Sequence, residues 1–512
     1  LERLQKAGER RQRVREDRSV QWNRGTGLSY RGTVLSETPE QRLAELEARV
    51  KSDLALIEHP RMPWLTPRRP PDGGQALDVL IVGAGQSGIA TAFGLKRSRV
   101  DNFLIVDMAA RGAEGPWLTF ARMPTLRSPK DYTGPDLDIP SLTYPSWHIA
   151  RFGQDSWDAV KLIDREAWGH YLLWVRDTIG LEVENGTAIT AIAPAGDLLA
   201  ADLLNLATGE RRRVHARKIV LATGQDGMGK WWMPPEVEAL PVTRRAHAAD
   251  DIDFETLKGA KVAVLGAGAS AFDNAGAALE AGAAEVMLFS RRHSPQVIQP
   301  YRWLTFKGFL AHLGDLEDEW RWRFMRRILG LREGFPQETY DRCARHANFR
   351  LIGGAPWTSV SATEACVEIS TPKGDFTADF VISGTGVEMD FALRPELSAC
   401  ADNIATWGDK YTPPKDERHD RLGRFPYLDP DFALVEKRAG ETPWIKDIHL
   451  FSIASTMSFG PSGSSINAMT TVVPKLVLGI TKGLFRSDVE AHWESLKAYN
   501  TPQAIIPDDA VE

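Results

Sequence analysis

Cysteine is scarce in this chain of 512 residues: there are three, Cys343, Cys366 and Cys400, and no two are spaced as a Cys-x-x-Cys pair. That excludes a disulfide framework and a dithiol redox centre, and it points to a reducing interior. A basic excess is also missing. Lys and Arg number 62 against 68 Asp and Glu, a formal net charge of −6. The basic face that grips nucleic-acid phosphates is therefore not expected, and no nucleic-acid partner is expected either. No uncharged apolar run approaches the roughly 18 residues of a spanning helix. The best, 470–480, is interrupted by Lys475, so no transmembrane segment is expected. The start, LERLQKAGERRQRVRED, lacks the apolar core of a secretory signal, and the chain reads as cytoplasmic.

What is present is an ordinary globular composition, 43% hydrophobic and 25% charged, long enough for two or three domains. Tryptophan is frequent, with 16 copies. Several fall between Trp147 and Trp232, where their faces either wall a planar ligand or fill the core. Residues 1–76 are polar and end in PWLTPRRPPDGG, a linker by its prolines and glycines. Thr38-Pro39-Glu40-Gln41 has the form of a capping box with proline at the first helical position. Leu43, Leu46, Val50, Leu54 and Ile57 then recur at helical spacing, so one apolar face should pack on the main body or on a second subunit. A homodimer is thus one of two outcomes.

From residue 77 the character changes to DVLIVGAGQSGIATAFGLKRSRVDNFLIVD. A buried-type strand over 78–82 runs into Gly83-Ala84-Gly85-Gln86-Ser87-Gly88, followed by a helix over 89–97 and a strand over 103–106 that ends at Asp107. Each element has a role in gripping a dinucleotide. Gly83 permits the tight turn, Gly85 lets a pyrophosphate approach the backbone, and Gly88 lets helix and strand pack closely. The phosphates would lie on the helix N-terminus, and Asp107 is placed to accept hydrogen bonds from ribose hydroxyls.

The same grammar recurs at 261–265, followed by Gly266-Ala267-Gly268-Ala269-Ser270-Ala271 and a helix to about residue 279. Alanine replaces the third glycine, and a methyl group still allows close packing. The next strand, 286–289, ends in Ser290-Arg291-Arg292. An acid there would repel a 2′-phosphate, whereas guanidinium groups clamp it. The first site therefore reads as one for FAD and the second as one for NADPH, with a hydride passing between them.

At this point the chain resembles the class B flavoprotein monooxygenases: flavin-containing, Baeyer–Villiger and N-hydroxylating monooxygenases. The resemblance covers nearly all of 77–485. Lys218-Ile219-Val220-Leu221-Ala222-Thr223-Gly224 resembles the strand and turn ahead of their second glycine-rich loop. Asp379-Phe380-Val381-Ile382-Ser383-Gly384-Thr385-Gly386 resembles the later copy, where the chain returns to the flavin domain. Gly115-Pro116-Trp117 resembles the element over the flavin ring, and Leu126-Arg127-Ser128-Pro129-Lys130 the flavin-proximal stretch. Ile448-His449-Leu450-Phe451-Ser452 resembles the last flavin-domain strand. Gly463-Ser464-Ser465-Ile466 resembles the start of the helix aimed at the ring.

The fold this implies is α/β, with two Rossmann-like dinucleotide-binding domains, the NADPH domain inserted in the FAD domain, and a helical N-terminal extension. The segments are 1–76, the extension and linker; 77–226, the first FAD segment; 227–384, the NADPH domain; 385–485, the second FAD segment; and 486–512, a tail. The implied reaction consumes NADPH and molecular oxygen, forms a flavin (hydro)peroxide, and oxygenates a small organic substrate at nitrogen or sulfur or by Baeyer–Villiger insertion. Two other readings use the same sites: a flavoprotein reductase or oxidase, and a non-catalytic nucleotide sensor.

The implied site residues are uneven in their match. Arg292-His293-Ser294-Pro295 is one residue longer than the Baeyer–Villiger arginine element, so either Arg291 or Arg292 stands for the catalytic arginine. Ser128 stands nearest the position of a family asparagine, beside Lys130. His247 alone represents the family's signature ahead of the second loop, as a linker residue or a surface histidine. The stretch 303–332 is expected to be an insertion, either a domain helix or a cover for the active-site mouth, a membrane contact or a dimer contact. No metal is expected.

Overall fold

The computed structural model describes residues 38–70, 72–131, 134–331, 333–461, 463 and 465–507. Leu77–Val82 lies at the centre of a seven-stranded sheet, parallel to Phe103–Asp107 on one side and to Arg211–Leu221 on the other. Its LDVLIV sequence is a nearly unbroken apolar run because helices and loops cover both faces, as parallel strands require. Arg211–Leu221 serves two neighbours along its far edge. Its first part pairs antiparallel with Leu198–Asn205, and its last part pairs parallel with Ile448–Leu450. The segment after residue 385 therefore returns to this first sheet.

A second sheet is wholly parallel, in the order Arg245–His247, Phe380–Ser383, Lys261–Leu265, Glu285–Ser290, Phe349–Gly353. Between the sheets the chain leaves along Gly229–Trp231 and returns along Val387–Met389, and these two strands pair antiparallel as a ribbon. Both glycine-rich loops follow the central strands of their sheets, where a crossover helix begins. Gln86–Arg97 follows the first and Ala269–Glu280 the second.

The helix Pro39–Leu56 starts at Thr38 with the reciprocal capping box that the sequence predicts. Val50 is fully buried and Leu43, Leu46 and Leu54 pack on the core, while Ile57 is exposed. The main body is its partner. Arg42 donates from Nε to the Ala150 carbonyl at 2.7 Å, and Trp174 donates from Nε1 to Glu47 at 3.2 Å. The linker that follows is anchored too. Asp488 accepts from the Thr66 amide at 3.1 Å and pairs with both Arg68 and Arg217.

Trp147, Trp157 and Trp168 cluster with Tyr144 and Tyr171 inside the first core. They fill the core and do not wall a ligand. The stretch 303–332 is helical, with Lys307–His312 and Asp318–Leu331 as its main pieces, and Arg332 lies outside the described residues. It packs on the segment that returns to the first sheet: Trp322 donates to the Glu417 carbonyl at 3.0 Å, and Arg323 pairs with Glu417.

The apolar run at 470–480, judged too short to span a membrane, is part of a longer helix. Ile466–Ser487 is 22 residues, enough by length and composition alone to cross a bilayer, and half of its apolar window is buried. Val473 and Val477 on this helix crowd Gly94 of Gln86–Arg97, where a larger residue would not fit.

Candidate functional site

The first loop is a backbone device before it is a chemical one. Gly83 has φ +104°, and a Cβ there would collide with the Ala222 carbonyl; a Cβ on Gly88 would collide with the carbonyl of Gly83. Gly85 differs. Its nearest neighbour would be Gly115 at 3.8 Å, so its backbone is open to a close-approaching group.

Three chain segments meet here. Ala222, Thr223 and Gly224 follow the strand beside Leu77–Val82. Ser87 donates from its hydroxyl to the Gly463 carbonyl at 2.8 Å, which brings the helix beginning at Ser465 and Ile466 onto the loop. Ser464 lies outside the described residues. A cavity beside the loop is lined by Ala84, Gly85, Glu114, Trp117 and Leu172. Among the described residues, three buried polar atoms around the loop have no hydrogen-bond partner: Gln86 Oε1, Trp117 Nε1 and Thr223 Oγ1. Buried polar groups are nearly always paired, so this set fits a ligand that both donates and accepts, as a dinucleotide does.

Asp107 stands at the end of its strand as the sequence predicts, but its carboxylate is already engaged. Oδ2 accepts from the Ala84 amide at 2.7 Å and Oδ1 from the Ala109 amide at 2.8 Å. Burial raises its pKa against the pull of those amides. Each oxygen has a second lone pair, so holding the loop does not preclude accepting a ribose hydroxyl. Glu114 closes the same wall, accepting from Arg176 and Asn185, each at 2.7 Å.

The second loop repeats the backbone geometry. Gly266 has φ +113° and backs onto the Gly384 carbonyl, and a Cβ on Gly268 would meet nothing within 4 Å. Ala269 and Ser270 open the helix, and Ala271 is fully buried against Gly384. Thr385 and Gly386 follow, held by the ribbon: the Trp232 amide donates to the Gly386 carbonyl at 2.8 Å, and the Thr385 hydroxyl donates to the Trp232 carbonyl. Arg291 and Arg292 end the strand Glu285–Ser290 and are exposed. Arg292 donates to the Gly330 carbonyl at 3.3 Å; Arg291 has no hydrogen-bond or ion-pair partner among the described residues.

Lys130 and Ser128, two of the expected catalytic positions, differ in their surroundings. Lys130 donates to the Trp157 carbonyl at 2.8 Å and lies 4.6 Å over that ring, so its charge braces the aromatic core. Ser128 sits on Thr125–Pro129 with no side-chain hydrogen bond among the described residues. The reading of His247 as a surface histidine is corrected: it is buried on Arg245–His247 and packs at 5.1 Å on Trp231, whose ring also meets Phe120. Nδ1 accepts from the Ala249 amide at 3.1 Å, and burial lowers the pKa. It is therefore a buried residue of the second sheet packed on the ribbon, with its neutral form favoured.

Sequence reasoning missed the ties across the two nucleotide regions. Arg127, beside Ser128, pairs with the buried Asp273 on the helix after the second loop. Arg342 donates to the Arg122 carbonyl at 2.7 Å, and Arg122 reaches the Asp250 carbonyl at 3.2 Å. Nothing in the local sequence marks these residues, because each partner lies more than a hundred positions away.

Two glycine-rich loops on two sheets, joined by a ribbon and tied by the Arg127–Asp273 ion pair, are the frame of a flavoprotein-type oxidoreductase. Residues 80–307 match the pyridine nucleotide-disulphide oxidoreductase family. Over 464 residues the chain is 37% identical to the FAD-dependent urate hydroxylase of Xanthomonas campestris pv. campestris, covering 90% of this chain and 97% of that protein. The chain belongs to that family of FAD-dependent monooxygenases. The ornithine N-hydroxylase of Kutzneria sp. 744 superposes with a TM-score of 0.62 at 17% identity, over 80% of this chain and 99% of its own. A flavin-containing monooxygenase from Stenotrophomonas maltophilia gives 0.51 at 18%, again over 80% and 99%.

Disulfide chemistry does not transfer from the wider family. All three cysteines are free, and burial pushes the thiols of Cys343 and Cys400 up to about 12, where they are inert.

Proposed function

We propose that this chain is an FAD-dependent, NADPH-consuming monooxygenase that inserts one atom of molecular oxygen into a small planar substrate of the urate kind. The observation that carries the reading is the pair of unlike loops within a chain 37% identical to a urate hydroxylase along most of its length. The first loop is enclosed and ringed by unpaired polar atoms; the second is open and ends in arginines. Residues 77–226 and 385–485 form the FAD domain, and 227–384 the inserted NADPH domain.

Flavin, when held here, would supply the redox chemistry, accepting a hydride from a nicotinamide and reacting with oxygen. The protein's part is to bind and orient. Gly83, Gly85 and Gly88 bring the loop amides to the pyrophosphate, while Thr223 and Gln86 offer polar atoms to the same ligand. Asp107 holds the loop and faces the ribose. The helix that starts at Ser465 and Ile466 ends on the loop through Gly463, and its N-terminal dipole favours negative charge on the reduced ring. Arg291 and Arg292 recognise the 2′-phosphate.

The reading is tested with purified protein under labelled oxygen. A yellow protein that is bleached by NADPH without air, and that then places one labelled atom per NADPH into urate, is the expected result. Stoichiometric hydrogen peroxide with unlabelled product, whatever the substrate offered, would overturn it in favour of an oxidase.

A further inference from the structure

Arg421 is assigned no role by the motifs, and it sits in an unusual place. It lies on the short helix Asp420–Gly423, within the segment that returns to the first sheet, yet its guanidinium reaches the second nucleotide loop. Nη2 donates to the Val387 carbonyl at 2.6 Å and lies 3.7 Å from where a Cβ on Gly386 would be. Gly386 follows Gly384, whose carbonyl backs onto Gly266, so Arg421 stands at the mouth of that loop.

No acid pairs with it among the described residues. The neighbouring carboxylate, Glu388, is taken by Arg424 at 2.8 Å. Loss of hydration, and then the positive charge of nearby Arg291, lower the pKa of Arg421 against the pull of Glu388. The residue is nonetheless exposed to solvent. Two guanidinium groups that repel each other beside an open backbone cradle, with the nearby Glu388 engaged by Arg424, favour an anion that joins them.

We propose that Arg421 is a phosphate-binding residue for the nicotinamide dinucleotide, supplied to the second loop by the flavin-side segment. This rests on the reading of that loop as the NADPH site. Its consequence is that dinucleotide binding ties the two halves of the molecule together, because the loop comes from one and the third arginine from the other.

The experiment is calorimetric titration of the flavin-loaded protein with NADP+ and, separately, with NAD+. Arg421→Ala should weaken NADP+ binding about tenfold to hundredfold, with flavin content unchanged, and Arg421→Lys should recover part of the loss. A parallel loss for NAD+ places the contact on the pyrophosphate; a loss for NADP+ alone places it on the 2′-phosphate. NADP+ affinity equal to wild type in both variants overturns the assignment, including the case in which only substrate affinity falls. Absence of NADP+ binding by the wild-type protein would instead defeat the proposed function itself.

Discussion

The two glycine-rich loops share a backbone and differ in everything that surrounds it. At each, a glycine with positive φ, Gly83 or Gly266, backs onto the carbonyl of a neighbouring parallel strand's end, Ala222 or Gly384. The first is then enclosed by a third segment through the Ser87–Gly463 hydrogen bond, with Gln86, Trp117 and Thr223 left unpaired inside. The second has no such cover and ends in exposed cations. If the first loop holds the flavin and the second the nicotinamide, as proposed, the enclosed site should keep its ligand longer than the open one.

The largest effects should come from breaking one loop at a time. Gly83→Val should yield colourless protein, since the side chain meets the Ala222 carbonyl and cannot adopt the turn. Gly266→Val should yield protein that stays yellow and is no longer bleached by NADPH. Yellow Gly83→Val protein, or loss of colour in Gly266→Val, would erase the distinction between the loops.

Next in size is charge. The double variant Arg291→Ala, Arg292→Ala should raise the KM for NADPH about a hundredfold and leave that for NADH within a few-fold, as two charge-assisted contacts to one phosphate imply. An equal rise for both nucleotides would remove the 2′-phosphate role.

The smallest effect separates the buried histidine of the first sheet from its surroundings. His449 donates from Nδ1 to the Asp431 carbonyl at 2.8 Å, and burial with Lys218 nearby lowers its pKa to about 4. It is neutral when folded and takes a proton more readily when unfolded. Its stabilisation is complete above an unfolded value of about 6.5 and is lost as pH falls toward 4. Asp136 has the opposite sign: burial raises its pKa to about 6, so its contribution grows as pH falls through that value. The His449→Gln variant, compared with wild type by denaturant unfolding, should gain about 2 kcal/mol relative to it between pH 7 and pH 5. A difference that does not change with pH would show that His449 titrates normally.

The legible parts of the fold were those written in consecutive residues. Strand, loop, helix and strand from Leu77 to Asp107 lie where the pattern places them, as does the second copy from Lys261 to Ser290. Buried parallel strands need apolar runs, and the turns admit only glycine at certain positions. The capping box at Thr38 was equally local. The antiparallel extension of Arg211–Leu221 was not legible, because its first and last parts pair with two distant strands. The contact of Lys130 was hidden for a related reason: a lysine in a suggestive motif carries no sign that it will lie over Trp157.

By itself, then, the sequence determined the two nucleotide loops, their order, and the acid or arginine that closes each, since these depend on backbone freedom and charge over a few neighbouring positions. Tertiary structure alone decided which distant groups complete them. Gly463 reaches Ser87, Arg127 reaches Asp273, and Arg421 reaches Gly386 only in the folded chain. The physical reason is that a side chain's partner is set by packing, which brings together positions that no local pattern relates.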